Sequence, residues 1–423
     1  MTTKATTPSE AGQRPFVIRS GRYLVFLVIM MGVVAIMDQY LSTIKTTALP
    51  YLMKEYGIDA SSFSWLEMLY MIPTFFIFFL NGLNDLIGRK WSILILILLM
   101  GLSSLAILLW TPSLSMFMAF YAVTMFTTVS NMWTIPPAEE APAKNRAKLI
   151  ALVYVIGLIP LQAILPPILV NTLGLSWRWM WGVMFLFMIP VLVMWFFMKE
   201  TGRYQAIQAE RRAGRSKIHP FGLGAIDRRD LRYILLGASI WICWLVNSLL
   251  FLWAGYFFMT IKGYSVGQWS MVLLGALVMA IIGGLSSGWI MDRIGRRAAL
   301  VIGCLGMAVV YCLLGILPVV VLPFLAALAG FFTSFSYTWI VVYLPEVFPT
   351  ERRGACMGWT TTVARLAYII GPALAAILLA AFPTMEWFWV VAGAVMLVPV
   401  AIVFLFRFYE TKTKELEQIA IER

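Results

Sequence analysis

Long apolar runs alternate with short polar segments along the whole chain. Each run holds about 20 residues, the length that a helix needs to cross the ~30 Å hydrocarbon core of a bilayer. Backbone polar groups in lipid are satisfied only in helices and closed barrels, so continuous runs of this length predict helices. Twelve runs are present, at approximately 23–49, 61–82, 91–111, 113–136, 148–171, 177–198, 232–258, 267–289, 299–318, 320–344, 356–381 and 386–407. The pattern predicts an all-α integral membrane protein with twelve transmembrane helices.

The composition supports this interpretation. Of the 423 residues, 61% are hydrophobic and only 12% are charged, whereas a soluble domain carries about a quarter charged residues. The polar segment 1–22 is not followed by the short apolar stretch and small-residue cleavage site of a signal peptide. We therefore expect the first run to be a true membrane span and the protein to be embedded in the lipid bilayer.

The net charge of +12 becomes informative once the charges are located along the chain. Of the 32 Lys and Arg residues, 27 lie in the tails and in the loops on one side. Positively charged loops stay in the cytoplasm, so both termini and these loops are predicted to be cytoplasmic. The positive charge reflects topology, and no nucleic-acid partner is expected.

Two short motifs occur twice, and both copies are separated by the same distance. The segment NGLNDLIGRK at 81–90 returns as GWIMDRIGRR at 288–297, 207 positions later. The segment EEAPAKNR at 139–146 returns as EVFPTERR at 346–353, again 207 positions later. A shared offset for two independent motifs predicts two related bundles of six helices with parallel topology. The predicted divisions are a tail 1–22, a first bundle 23–198, a central loop 199–231, a second bundle 232–407 and a tail 408–423.

The repeated charges lie at the predicted cytoplasmic ends of helices. There a carboxylate can face the positive end of a neighbouring helix, and arginines can bridge to glutamates. Paired charges that separate when one side opens would form an inner gate, and the alternative is that they only fix loop packing. The candidate residues of this inner gate are Asp85, Gly88, Arg89, Glu139, Arg146, Asp292, Gly295, Arg296, Glu346 and Arg353.

These motifs resemble the G-x-x-x-D-R-x-G-R-R and E-x-x-P-x-x-x-R motifs of the major facilitator superfamily. The copy from Gly288 to Arg297 matches at every position, whereas Asn81 and Leu86 depart from the pattern in the first copy. The tail YETKTKELEQI resembles the sugar-porter branch and its organic-ion relatives. The resemblance implies a secondary transporter whose two bundles rock about a binding site near the bilayer midplane.

Once the charges at the ends of the apolar runs are assigned to the loops, four charged residues remain inside the runs: Asp38, Lys45, Glu67 and Arg365. Each costs about 2.5–3.5 kcal/mol on insertion scales, so each is a candidate site residue. At 1.5 Å per residue, Asp38 lies ~22 Å and Arg365 ~18 Å from the cytoplasmic side, in the middle third of the bilayer. Lys45 and Glu67 fall at similar heights further out, where they would pair as an outer gate; the alternative for Lys45 is snorkelling to the interface.

Asp38 and Arg365 also carry a resemblance to particular branches of the superfamily. MDQYLSTIKTTALP resembles the first span of aromatic-acid:proton symporters, and TTTVARLAYIIGP resembles span 11 of organic-anion carriers. The resemblance implies that Asp38 couples the proton and that Arg365 takes a substrate carboxylate through two parallel hydrogen bonds. Asp38 would be the partner of Arg365 in the empty carrier. The alternatives are a structural aspartate and a permanent structural ion pair.

Polar and aromatic residues in otherwise apolar runs are candidates for the lining of the substrate site. Interhelical hydrogen bonding is the alternative explanation for each of them. Besides Arg365, the candidates are Asn131, Gln162, Trp244, Asn247, Tyr337 and Trp339. Sugar porters have a double glutamine in span 7, where this chain has Leu245, Val246 and Asn247, and this departure disfavours a hexose.

The sequence contains no metal cluster, nucleotide-binding glycine loop or nucleophile–base pair, so neither enzyme activity nor a cofactor is predicted. The absence of an N-x-S/T acceptor favours a bacterial inner membrane. We predict a monomeric, proton-coupled symporter of a small organic anion. Its substrate would be a carboxylate, a class that includes the aromatic acids. The alternatives are a proton-coupled sugar or polyol transporter, efflux by proton antiport, and a membrane sensor that has lost transport.

Overall fold

The computed structural model describes residues 20–128, 130, 132–140, 146–213, 226–348, 353–406, 408–411 and 422. The side chains of Asp85, Arg146, Asp292 and Arg353 lie outside this description, as does Asn131 altogether.

The helices follow the apolar runs with one exception. Eleven helical segments of the described chain are long and apolar enough to cross a membrane. The fourth run forms a shorter helix that ends at Thr127, so the prediction of one continuous helix over 113–136 is wrong. With that helix as α4, the segments are α1 Gly21–Thr43, α2 Ala60–Leu80, α3 Arg89–Leu109, α4 Leu114–Thr127, α5 Leu152–Thr172, α6 Trp179–Phe197, α7 Arg228–Ile261, α8 Val266–Met291, α9 Arg296–Ile316, α10 Val319–Leu344, α11 Cys356–Ala381 and α12 Glu386–Leu405.

Polar residues at the ends of the apolar runs begin several of these helices. The side chain of Ser20 accepts a hydrogen bond from the backbone of Tyr23 at the start of α1. At the start of α8, Ser265 and Gln268 form a capping box. Such caps satisfy backbone N–H groups that have no partner within the helix. They place the helix starts at the positions where hydropathy changes.

The first apolar run continues beyond α1 in a separate short helix. This helix spans Lys45–Tyr56 and ends at Gly57, which has the positive φ of 61° that favours glycine. Three further short helical pieces follow elsewhere in the chain: Met132–Thr134, Ile135–Glu140 and Gly202–Arg212.

Segments α1–α6 and α7–α12 form the two parallel six-helix bundles. We call the side with the first residues of α3 and α9 the basic side, and the other the opposite side. On the opposite side the two bundles touch through hydrogen bonds. The hydroxyl of Ser61 donates to the carbonyl of Ala376 at 2.8 Å, and the backbone N–H of Gly255 donates to Thr46 Oγ1 at 3.1 Å. The indole of Trp269 donates to Thr47 Oγ1 at 3.0 Å.

Candidate functional site

Asp38 lies on α1 with 1% of its surface exposed. Its Oδ2 accepts hydrogen bonds from the indole of Trp133 at 3.3 Å and from the Gln39 amide at 3.2 Å. Trp133 lies in the short helical piece Met132–Thr134. Both of these donors are neutral, so neither supplies a positive charge that would favour the ionised form of the carboxylate.

Arg365 lies on α11, in the second bundle, and is 2% exposed. Its guanidinium reaches into the first bundle, where it donates to the carbonyl oxygens of Thr128 at 2.7 Å and Met125 at 3.4 Å. The Met125 carbonyl belongs to the last turn of α4 and the Thr128 carbonyl directly follows it, where a helix end carries acceptors without intrahelical partners and partial negative charge. The arginine therefore lies at the end of a helix that stops in the protein interior, since Thr127 and Thr128 are both fully buried.

The structure does not join Arg365 and Asp38 in a salt bridge. Within the described chain Arg365 forms no salt bridge with any carboxylate. Asp38 is nevertheless close enough to interact with it electrostatically. The guanidinium also lies over the ring of Tyr368, with 5.3 Å to the ring centroid. An arginine that faces a helix end and an aromatic ring can receive an anionic ligand.

The structure brings Lys45 and Glu67 together, as their heights suggested. Lys45 Nζ lies 2.5 Å from Glu67 Oε2, and both side chains are buried. The other carboxylate oxygen accepts a hydrogen bond from the hydroxyl of Tyr121 at 3.3 Å. Lys45 also lies 5.3 Å from the ring centroid of Trp253, a residue of the second bundle. Lys45 does not snorkel, and its role in an outer gate stays a prediction.

Two tyrosines that sequence reasoning missed connect these pairs. Tyr121 on α4 and Tyr368 on α11 are both buried. Tyr368 interacts electrostatically with Arg365, Asp38 and Glu67, and Tyr121 interacts with Glu67 and Tyr368. Nothing in the sequence separates a neutral buried tyrosine of this kind from an ordinary packing residue.

The remaining lining candidates differ in their contacts. Trp244 and Tyr337 stack at 4.6 Å, and the Trp244 indole donates to the carbonyl of Thr333. Gln162 and Asn247 are buried, and in the described chain their side-chain oxygens have no hydrogen-bond partner.

Asn247 also donates to the carbonyl of Ala392 at 2.7 Å. Trp339 packs between Tyr343 and Phe408 within the second bundle, so the structure does not bring it to the stacked pair of Trp244 and Tyr337.

The repeated arginine–glutamate motifs form matching ion pairs on the basic side. Arg89 binds Glu139 through Nε and NH2, with a shortest distance of 2.7 Å. Arg296 binds Glu346 in the same way, with a shortest distance of 3.0 Å. Each pair joins two helices of one bundle, so neither pair crosses between the bundles. Their part in an inner gate stays a prediction, and the side chains of Asp85, Arg146, Asp292 and Arg353 lie outside the description.

A third repeated element supports the same two sites. Glu200 accepts from the backbone N–H groups of Arg89 and Lys90, and Glu410 accepts from those of Arg296 and Arg297. The hydroxyls of the following threonines complete the two networks. They bind the paired glutamates: Thr201 donates to Glu139 at 2.5 Å, and Thr411 donates to Glu346 at 2.6 Å. The signal was present as the dipeptide Glu-Thr at 200 and again 210 positions later, an offset that differs from 207.

Comparison with known proteins places this geometry in a family. A family model described as Major Facilitator Superfamily matches residues 28–323 and 263–422. The chain belongs to the Major Facilitator Superfamily. It is therefore a multi-pass membrane transporter, and the predicted fold of two six-helix bundles is confirmed.

Relatives within the superfamily include carriers of organic acids. The gentisate transporter of Corynebacterium glutamicum is 28% identical over 316 residues, which cover 71% of this chain and 69% of that protein. The cis,cis-muconate transport protein of Acinetobacter baylyi is 24% identical over 220 residues, which cover 47% of this chain and 49% of that protein. Among solved structures, the inward-open xylose transporter XylE from E. coli has a TM-score of 0.70 at 19% identity and covers 94% of this chain and 99% of its own. The last comparison shows the fold alone.

Proposed function

We propose that this superfamily member is a proton-coupled symporter of a small organic anion, a carboxylate that includes the aromatic acids. It would act by alternating access in a bacterial inner membrane, with both termini in the cytoplasm. The observation that carries the proposal is the placement of Arg365, which is buried, directed across the bundle interface and held by helix carbonyls.

The chemistry of Arg365 favours an anion as substrate. A guanidinium binds a carboxylate through two parallel hydrogen bonds, and it keeps its charge throughout the cycle. The partial charges of the α4 carbonyls are weaker partners than a full carboxylate, so an incoming anion gains by approaching the arginine. Asp38 lies within electrostatic range and would take up the proton. Relatives that carry gentisate and muconate support the same substrate class.

Uptake of labelled gentisate into proteoliposomes tests the proposal. With acid outside, we expect accumulation above that in protein-free vesicles, which account for passive entry of the neutral acid. Arg365→Ala should lower kcat/KM about 30-fold or more, because truncating one partner of a buried charge pair costs about 2–5 kcal/mol. Arg365→Lys keeps the charge but loses the planar fork, so its activity should lie between the two.

The rival substrates are separate arms of the same assay. Acid-driven accumulation of labelled xylose, unaffected by Arg365→Ala, would replace the proposal with a sugar carrier. Export of a cationic dye in exchange for protons that enter down an imposed gradient would replace the proposal with efflux by proton antiport. Absence of flux for every probe, from protein shown to be folded, would favour a sensor.

A further inference from the structure

The buried charges of the described chain away from the basic side add up to zero. Among the described residues away from the basic side, the buried charged side chains are Asp38, Lys45, Glu67 and Arg365, at 1%, 3%, 2% and 2% exposure. Two are acidic and two are basic. Burying a net charge in a low-dielectric interior is costly, so a carrier that moves between two occluded states gains by keeping this sum at zero.

Two of the four charges form an ion pair with each other, and the other two are not joined to each other by a salt bridge. Lys45 and Glu67 contact each other at 2.5 Å, and Tyr121 donates to the same carboxylate. This pair contributes no net charge, whichever partner holds the shared proton. The remaining negative charge is Asp38 on the first bundle, and the remaining positive charge is Arg365 on the second.

Asp38 and Arg365 interact electrostatically but form no salt bridge with each other. Asp38 is held by Trp133 and Gln39, while Arg365 is held by carbonyls at the end of α4. The phenol of Tyr368 interacts electrostatically with both charges. Because the Arg365 guanidinium lies 5.3 Å from the ring centroid of Tyr368, a change of charge at Asp38 acts on a group that is packed against Arg365.

We propose that this charge balance fixes the coupling ratio at one proton for each monoanionic carboxylate, so that transport is electroneutral. The inference rests on the proposed function and adds its stoichiometry. An anion bound at Arg365 brings the buried sum to minus one. One proton bound to a carboxylate oxygen of Asp38 restores zero, and a second proton would make the sum positive.

The balance of the cycle follows directly. One proton and one anion enter the site from one side and leave to the other, so no net charge crosses the membrane with the substrate. No covalent bond other than the O–H bond of Asp38 forms or breaks. A neutral substrate with one proton would instead carry a net positive charge, which separates this mechanism from that of a sugar symporter.

Gentisate uptake under controlled membrane potential tests the ratio. Proteoliposomes with a potassium gradient and valinomycin receive an inside-negative, zero or inside-positive potential, at the same pH gradient. We expect equal initial rates at all three potentials, and one proton counted by an internal pH dye for each labelled anion. Faster uptake at inside-negative potential would mean two or more protons per anion and would overturn the inference, although the proposed symport would stand. Absence of pH-driven uptake would overturn the proposed function itself.

Asp38→Asn identifies the compensating group. The variant cannot bind the proton, so the pH gradient should no longer drive uptake. Each transported anion should then carry its negative charge, and inside-positive potential should accelerate entry. Uptake by this variant that stays independent of potential and driven by pH would show that another group takes the proton, and would overturn the assignment to Asp38.

The double variant Lys45→Met/Glu67→Gln is the matched control. It removes two buried charges of opposite sign and leaves the sum at zero, so the one-to-one ratio and the independence of potential should persist. A changed ratio in this variant would place the coupling proton on Glu67 instead and would overturn the assignment to Asp38 even where Asp38→Asn fails to fold.

Discussion

At the scale of single residues, the buried cations of the candidate site have partners of different charge. Lys45 has a full carboxylate at 2.5 Å, whereas Arg365 has helix carbonyls at 2.7 and 3.4 Å. A full ion pair in the interior is hard to break, while partial charges at a helix end are readily displaced by an anion. The first arrangement suits a structural contact, and the second suits a binding site.

The Lys45–Glu67 pair gives a stability prediction. Lys45→Met leaves the Glu67 carboxylate buried and unpaired, so the free energy of unfolding should fall by about 3–5 kcal/mol. The double variant Lys45→Met/Glu67→Gln removes both charges and should recover most of that loss. Thermal unfolding of the purified proteins in detergent measures the difference. Equal melting temperatures for the single and double variants would show that the pair is not buried as a pair.

At the scale of elements, α3 and α9 begin in the same way in both bundles. Each starts after a glycine of positive φ, Gly88 at 98° and Gly295 at 95°. A carboxylate then binds the first backbone N–H groups, from Glu200 in one bundle and Glu410 in the other. A negative charge at a helix N-terminus interacts favourably with the helix dipole. The network therefore fixes the start of each helix on the basic side and positions the arginine that follows.

Gly88→Ala tests this helix start. A Cβ at this position would lie 2.3 Å from Glu200 Oε2, and the backbone conformation itself disfavours any side chain. We expect a loss of about 1–3 kcal/mol in stability from the conformation alone, plus displacement of Glu200. Gly288→Ala is the control, because a Cβ there meets nothing within 4 Å. Thermal unfolding compares the two, and an equal effect of both substitutions would argue against a specific role for the glycine.

The sequence predicted elements better than it predicted contacts, for physical reasons. Apolar length sets where a helix can span the bilayer, so eleven of the predicted runs appear as membrane-length helices in the described chain. The break after Thr127 was missed because no proline or glycine marks it, and polar residues such as Thr128 and Ser130 also occur within continuous helices. Pro136 and Pro137 do not mark this break, because both lie in the later short helix Ile135–Glu140.

Sequence reasoning finds candidate site residues whose burial costs free energy and misses those whose burial costs little. Asp38, Lys45, Glu67 and Arg365 stand out because a charge in an apolar run needs a reason. Tyr368 costs little to bury and is found only from its place beside Arg365.

The role of Trp339 in the lining stays a prediction. The sequence made it a lining candidate, and the structure packs it against Tyr343 and Phe408.

At the scale of the whole molecule, the two bundles meet on the opposite side through a close backbone contact. A Cβ on Gly255 would lie 1.5 Å from the carbonyl oxygen of Thr46, which leaves no room for any side chain. The contact joins the short helix after α1 to the end of α7, next to the hydrogen bond between Trp269 and Thr47. Alternating access requires this surface to separate when the opposite side opens.

Gly255→Ala should therefore disfavour the closed arrangement of the opposite side. The measurement uses a variant without its native cysteines that carries Ala48→Cys, a fully buried position in the short helix Lys45–Tyr56. The rate at which a membrane-impermeant maleimide labels this cysteine reports how often the opposite side opens. We expect labelling about tenfold faster with Gly255→Ala, which corresponds to a shift of about 1.4 kcal/mol between conformations. Gly267→Ala, on the same side with 3.9 Å to its nearest atom, should leave the rate unchanged. Unchanged labelling in folded Gly255→Ala would mean that the bundles do not separate at this contact, and that the opposite side opens by movement of helices other than α1 and α7.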